Sequence, residues 1–185
     1  FTILILMMLI EVLAPKRKLK VNKYLRWSNN IALVVFNTVL IRLLLPVATV
    51  GVAIYASGNS IGLFNIIGLP SWLEIILAIT FLDMAIYWQH RIFHLVPVLW
   101  QLHKVHHVDQ DIDVTTGSRF HPIEIFISMI IKFALILLMG PAALAVILFE
   151  ILLNVIALFN HANIKLPSWL DRYLRYAMVT PDMHR

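Results

Sequence analysis

The eight histidines of this chain all lie between residues 90 and 184, and their spacing is regular. His90 and His94 are four residues apart, and His103, His106 and His107 repeat at intervals of three and four. Such intervals place side chains on one face of a helix. Two facing helices would present these five imidazoles together, which is typical of metal ligation rather than of isolated core histidines. The spacing therefore predicts a metal site.

The types of ligand narrow the choice of metal. Imidazoles with few carboxylates suit iron, zinc, copper or nickel, whereas magnesium and calcium prefer oxygen ligands. The chain has no cysteine, which excludes thiolate metal sites and disulfide scaffolds. With His161 and His184 added, the candidate ligands exceed the needs of one tetrahedral site, so we expect two adjacent sites. If the two metals lie at a membrane surface, they favour oxidation of an inert C–H bond, because lipid chains offer few other groups to attack. Zinc would favour hydrolysis instead.

Other polar residues near these histidines have two interpretations each. Asp83, on the same helical face as the first two histidines, could orient a ligand imidazole or form a hydrogen bond within its helix. Asn160 could bind close to the metal or cap a helix end. His121 could be a further ligand or a structural residue. Arg119 could hold an acidic lipid head group or form a salt bridge with Glu124.

The composition indicates an integral membrane protein. Of the 185 residues, 61% are hydrophobic and only 14% are charged, and the mean hydropathy is +0.85. A soluble domain of this size cannot bury that much apolar surface, whereas a bilayer solvates it directly. The net charge of +5 reflects loop asymmetry, and no basic patch with exposed aromatics predicts a nucleic-acid partner.

The apolar stretches predict an all-α, polytopic membrane bundle that forms a single domain over residues 1–185. The expected membrane segments are residues 1–14, 29–57, 72–88 and 123–160. The last of these is a helical hairpin that turns at Gly140 and Pro141. Such a hairpin would bring Lys132 and Glu150 to a similar depth, where they could pair.

The charges predict the orientation of these segments. Residues 16–26 carry six Lys and Arg and no acidic residue, which places this loop in the cytoplasm by the positive-inside rule. The number of crossings then puts the metal-binding segments 89–122 and 161–185 on the same side, as a histidine-rich cap. Trp72, Trp88, Trp100 and Trp169 are expected in interfacial belts.

Three runs of residues resemble the fatty acid hydroxylase, or sterol desaturase, superfamily. They are Tyr87-Trp88-Gln89-His90-Arg91-Ile92-Phe93-His94, Leu99-Trp100-Gln101-Leu102-His103-Lys104-Val105-His106-His107 and Arg119-Phe120-His121-Pro122-Ile123-Glu124. The runs Asn160-His161-Ala162-Asn163 and Thr180-Pro181-Asp182-Met183-His184-Arg185 are also similar to that family. The resemblance covers residues 83–185, and its motifs occur in the expected order.

The resemblance implies a membrane non-haem di-iron oxygenase with three histidine boxes. His90 and His94 match the first box, His103, His106 and His107 match the second, and His184 opens the third. His161 would be an additional ligand. The third box stops after two of its five residues in this sequence, and we expect the chain to be a piece of a longer protein.

The implied reaction is hydroxylation or desaturation of a lipid C–H bond with dioxygen. The sequence has no nicotinamide or flavin motif, so the electrons would come from a partner such as cytochrome b5 or a ferredoxin. Zinc could substitute for the two iron ions. The alternatives are a membrane metal-binding or transport protein and an inactive scaffold of the same fold. Transport requires ligands along a transmembrane path, whereas these histidines collect at one face.

Overall fold

The computed structural model describes residues 2–109 and 111–184, and its elements are helical, as expected. Within these residues the only β-type contact is an isolated bridge between Pro15 and Ile164. The helices are α1 (Thr2–Leu13), α2 (Lys23–Leu44), α3 (Thr49–Gly58), α4 (Leu63–Ile67), α5 (Ser71–Leu95), α6 (Pro97–His107), α7 (Pro122–Met139), α8 (Ala143–His161), α9 (Ser168–Leu174) and α10 (Pro181–His184), with a 3-10 helix at Val114–Ser118.

Four helical regions are long and apolar enough to cross a membrane, which confirms the prediction of an integral membrane protein. They are Lys23–Ile67, Ser71–Leu95, Pro122–Met139 and Ala143–His161. A helix suits this environment because it satisfies its own backbone hydrogen bonds where no water is present. In the 18-residue apolar stretch that identifies each region, at most 22% of the residues are buried inside the protein. Most of these side chains are therefore left to contact lipid.

The expected segment 29–57 is not one continuous helix. Helix α2 ends at Leu44 and α3 begins at Thr49. Pro46 lies in the gap, where its missing N–H and its ring interrupt the helical hydrogen bonds. The helix is therefore interrupted inside a stretch whose hydropathy alone predicts a single crossing.

The chain forms two compact units. The first unit comprises Phe1–Phe36, Lys104–Phe120 and Asn154–Arg185, and the second comprises Asn37–His103 and His121–Leu153. The core of the second unit is apolar, and its most buried members are Ala53, Leu82, Ile136, Val146 and Phe149. These residues come from α3, α5, α7 and α8, so the core fixes four helices of the second unit against one another.

The hairpin of α7 and α8 has the predicted turn and the predicted ion pair. Gly140 ends α7 in the left-handed conformation, with φ at +65°, and its N–H donates to the carbonyl oxygen of Ile136. The Lys132 ammonium donates to Glu150 Oε1 at 2.8 Å. The Thr49 hydroxyl donates to the same oxygen at 3.1 Å, so Glu150 is compensated by a charge and a hydroxyl.

The first unit has a polar core that the sequence analysis did not predict. The Arg26 guanidinium donates to both carboxylate oxygens of Asp109, at 2.9 and 2.7 Å, and to Asp113 at 2.8 Å. Asp113 also caps the 3-10 helix by accepting from the backbone N–H of Thr115. This network connects the start of α2 to the segment that follows α6. Helix α6 itself carries three of the histidines.

We expect Gly140→Ala to destabilise the protein by about 1–3 kcal/mol, because a side chain at this φ is strained and its Cβ would collide with the Ile61 carbonyl oxygen and the Asn65 amide. Gly58→Ala is the matched control, since a methyl group there meets no described atom within 4 Å. Thermal unfolding of both variants in one detergent tests this. Equal melting temperatures for the two variants would contradict it.

Candidate metal centre

The first histidine cluster consists of His90, His94 and His103. The first two lie on α5 and the third on α6, which begins at Pro97 after a short break in the helix. One ligand nitrogen from each residue lies within 4.8 Å of the others. The ring centroids are 4.6–4.8 Å apart, and the Nε2 atoms of His90 and His94 are separated by 3.2 Å. The three imidazoles therefore converge on one point, as ligands of one ion do.

A buried glutamate orients the central histidine of the first cluster. His103 is fully buried, and its Nδ1 lies 2.7 Å from Glu124 Oε1. Because a carboxylate accepts the Nδ1 proton, the Nε2 lone pair of His103 is left for a metal. From the sequence we expected Arg119 to hold a lipid head group or to pair with Glu124, whereas its guanidinium donates to Asn30 Oδ1 at 3.3 Å. The sequence signal for this role of Glu124 is its position as an acidic residue in the first turn of the otherwise apolar helix α7.

The second histidine cluster consists of His106, His161 and His184. They are contributed by α6 and by the last residues of α8 and α10. Their ligand nitrogens also lie within 4.8 Å of one another. The structure thus groups the histidines differently from the sequence analysis, which placed all five histidines of residues 90–107 between two facing helices. His161 and His184, expected as additional ligands, complete this second group.

The hydrogen bonds of the second cluster leave two bare ring nitrogens facing each other. Nδ1 of His106 donates to the Arg119 carbonyl oxygen at 3.2 Å, and Nδ1 of His161 donates to that of Ala157 at 2.6 Å. Carbonyl oxygens only accept, so both Nδ1 atoms carry protons, and the neutral rings have bare Nε2 atoms. These two Nε2 atoms are 2.8 Å apart. Facing lone pairs at that distance repel unless a metal ion or an added proton lies between them, so the donor set fits a metal.

Close packing holds His161 and His106 in place. A Cβ on Gly117 would lie 2.9 Å from the Ala157 carbonyl oxygen and 3.0 Å from Nδ1 of His161. The buried Gly117, in the 3-10 helix, therefore lets that helix approach the ligand. The Phe120 ring stacks on His106 at 4.7 Å with an interplanar angle of 1°. Neither contact was predicted, because both depend on the path of an irregular segment.

His184 is positioned by hydrogen bonds that join the C-terminal helices. Its backbone N–H donates to the Thr180 carbonyl oxygen at 3.0 Å, and the Thr180 hydroxyl donates to Asp171 Oδ1 at 2.6 Å. That hydroxyl, together with the Arg175 guanidinium, holds the pKa of Asp171 below its usual value. With its amide nitrogen assigned to the side that faces two acceptors, Asn160 donates to the carbonyl oxygens of Ile156 and Val179 at 3.0 and 2.5 Å. Asn160 thus supports this turn from the position next to His161, and its direct contact with a metal stays a prediction.

His107 lies outside both three-residue clusters. Its ring centroid is 5.0 Å from that of His106 and 6.3 Å from that of His184. It is half-buried at the last position of α6. His107 therefore borders the second cluster, and its role as a ligand stays a prediction.

Three other residues have placements that bear on their predicted roles. Asp83 is exposed on α5, so its role in orienting a ligand stays a prediction. His121 is the N-cap of α7, and its Nδ1 accepts from the Ile123 N–H at 3.2 Å. Trp100 packs against the ring of His94 at 5.4 Å, so it contributes to the wall of the first cluster.

Comparisons with known proteins agree with this arrangement. The family model described as "Fatty acid hydroxylase" matches residues 75–185. Alkylglycerol monooxygenase of Homo sapiens is 34% identical over 64 residues, 35% of this chain and 14% of the relative. The Danio rerio protein of that name is 38% identical over 70 residues, which are 38% of this chain and 16% of the relative. The Xenopus tropicalis protein is 33% identical over 70 residues, which are 37% of this chain and 16% of the relative. No solved structure matches the chain significantly.

We expect the stabilising effect of the Thr180 hydroxyl to depend on pH. Because the folded-state pKa of Asp171 is lowered, the stability it contributes is present above about pH 4 and is lost as the pH falls through the folded pKa. Thr180→Val removes the largest cause of that shift. Its melting temperature should therefore lie below that of the wild type at about pH 6, and the gap should narrow at about pH 3. A gap that is constant over this range would contradict the assignment.

We expect Glu124→Ala to weaken metal binding at the first cluster by about 10–100-fold, because His103 loses the acceptor that fixes its tautomer. Glu124→Gln retains an amide oxygen at that position and should lose less affinity. A titration of the purified protein with Co²⁺, followed by absorbance, measures both variants. Wild-type affinity in Glu124→Ala would show that His103 does not depend on this carboxylate.

Proposed function

The chain belongs to the fatty acid hydroxylase family, and from this premise we propose that it is a membrane oxygenase that hydroxylates a C–H bond of a lipid. The observation that carries the proposal is the pair of clusters with three converging imidazoles each. An oxygenase site needs ligands that hold a redox metal and leave coordination positions open, and three imidazoles meet that need.

We infer that each cluster binds one iron ion. His90, His94 and His103 would hold one ion, and His106, His161 and His184 would hold the other. The all-nitrogen ligand set suits iron or zinc and disfavours magnesium and calcium. Two iron ions, when bound, supply the activation of dioxygen, with electrons from outside the chain. The chain's own contribution is to fix the Nε2 atoms of His103, His106 and His161 by acceptors at their Nδ1 atoms.

The surroundings of the first cluster support a lipid substrate. His94 is exposed, whereas His103 of the same cluster is fully buried. Apolar side chains flank the exposed histidine: Leu95 is 68% exposed and Val98 is 75% exposed. These exposed apolar side chains would offer an acyl or alkyl chain a contact surface beside the cluster.

The relatives suggest the first substrate to test. They bear the name alkylglycerol monooxygenase, and the matched segments cover only 14–16% of their length. We propose an alkylglycerol as the first compound in a screen that also contains fatty acyl lipids and sterols. Desaturation of the same C–H bonds is the alternative reaction that we propose to assay in this screen.

We also propose that the histidine clusters face the cytoplasm. The basic residues 16–26 support this orientation by the positive-inside rule. A cytoplasmic site is accessible to an electron donor such as cytochrome b5 or a ferredoxin-type protein. The donor supplies the two electrons that a hydroxylation with one dioxygen molecule consumes.

The metal content of purified protein tests the proposal. We expect about two irons per chain, and His103→Ala and His161→Ala should each lose one, because each variant breaks one cluster. His121→Ala is the matched control, since this histidine caps α7 and belongs to neither cluster. It should keep both ions at a stability cost of about 1 kcal/mol. Elemental mass spectrometry measures all four proteins.

Activity with a reduced donor and dioxygen provides the second measurement. Both cluster variants should lose hydroxylation of the alkylglycerol by more than about 100-fold, and His121→Ala should retain it. Stoichiometric zinc that iron cannot replace under anaerobic conditions would favour hydrolysis over oxygen chemistry. An absence of any metal from the wild-type protein would favour an inactive scaffold.

A further inference from the structure

The loop between α1 and α2 lines an open pocket of about 480 Å³ in the first unit. Three cationic residues, Arg17, Lys18 and Lys23, form one part of its wall. Apolar residues, among them Val12 and Leu19, form another part. The pocket therefore has a positively charged part and an apolar part side by side. That combination is what the head group and the first carbons of a lipid require.

Among the residues that the structure describes, the three cations of this pocket form no ion pair. Arg17, Lys18 and Lys23 therefore differ from the nearby Lys16, which pairs with Asp182. Lys23 instead lies over the ring of Trp27, with Nζ 4.8 Å from the centroid. A ring face leaves the positive charge available to an anion, because it supplies no full negative charge.

One acidic residue also lines the pocket, and its charge is already engaged. Glu11 is buried, and its Oε1 accepts from the backbone N–H of Val114 at 2.7 Å and from that of Asn163. Three cations against one hydrogen-bonded carboxylate leave the pocket with a positive excess. An anion in the pocket therefore gains more attraction than repulsion.

The backbone of the basic loop is held in a defined shape. The backbone N–H of Arg17 donates to Asn163 Oδ1 at 3.1 Å, and the Asn163 amide donates back to the Arg17 carbonyl oxygen at 2.9 Å. Further along, the N–H groups of Lys20 and Val21 donate to Asp111 Oδ2 at 2.6 and 2.7 Å. A ligand therefore does not have to order this loop when it binds, which lowers the entropic cost of binding.

The neighbouring helices place this pocket at the edge of the apolar zone. Helix α1 leads into the loop and exposes apolar side chains, including Leu9 at 55% and Leu13 at 83%. Helix α2 leaves the loop and starts the first region able to cross a membrane. Tyr24, exposed by 75% at its start, is a residue typical of membrane interfaces. Cations at the start of such a region would face lipid phosphates in a bilayer.

We propose that this pocket binds the phosphate of an anionic phospholipid, with the lipid's acyl chains lying along the exposed apolar face of α1. Arg17, Lys18 and Lys23 contact the phosphate, and Val12 and Leu19 contact the first carbons of the chains. The proposal does not depend on the oxygenase activity, because none of these residues belongs to a histidine cluster.

Native mass spectrometry of the full chain, in detergent with equimolar phosphatidylglycerol and phosphatidylcholine, tests the proposal. We expect one retained phosphatidylglycerol per chain in preference to phosphatidylcholine. Arg17→Gln/Lys18→Gln should reduce that preference by about 25-fold, since each cation near an anionic lipid contributes roughly fivefold. Lys165→Gln/Arg172→Gln is the matched control, because it removes the same charge at exposed positions outside the pocket and should keep the preference. Arg17→Lys/Lys18→Arg preserves the charge and should also retain phosphatidylglycerol.

Three results would overturn the proposal. The first is equal retention of the two lipids by the wild-type protein. The second is an equal loss in the test and control variants, which would indicate attraction by net charge alone. The third is displacement of phosphatidylglycerol by millimolar inorganic phosphate, which would assign the pocket to a free phosphate, since phosphate gains nothing from the apolar face of α1.

Discussion

The hydrogen bond from an imidazole Nδ1 to a fixed oxygen is the interaction on which both histidine clusters depend. Glu124, the Arg119 carbonyl and the Ala157 carbonyl accept these bonds from His103, His106 and His161. Each bond fixes one tautomer and one ring orientation, so that the Nε2 lone pair faces its cluster. Without them a histidine offers either nitrogen in several rotamers. Much of the surrounding structure, including the first turn of α7 and the last turn of α8, serves to place these acceptors.

The sequence predicted the regular parts of this arrangement well. Length and hydropathy predicted the apolar helices, and Gly140 and Pro141 predicted the hairpin in which Lys132 and Glu150 pair. The grouping of the histidines could not be predicted. Residues three or four apart share a helical face, but that pattern does not say which distant segment meets them. His161 and His184 reach His106 only through tertiary packing.

The polar core of the first unit was invisible in the sequence for a related reason. Arg26 reads there as the last member of a basic loop, yet it is buried between Asp109 and Asp113. Charge patterns predict that such residues are exposed. Only the folded chain shows the ion pairs that offset the cost of removing the Arg26 charge from water. Glu124 was missed in the same way. Resemblance to the family identified the histidines, whereas the acceptors behind them came from the structure.

The separation of the two clusters along the chain imposes an order on their assembly. The ligands of the first cluster are complete once residue 103 has been synthesised, whereas the second waits for His184. Closing the longer segment costs more chain entropy, and it also requires α8, α9 and α10 to be in place. The three imidazoles near α5, and then Glu124 behind His103, are therefore present while the later helices are still being made. If the clusters hold metal as proposed, the first ligand set is ready before the second.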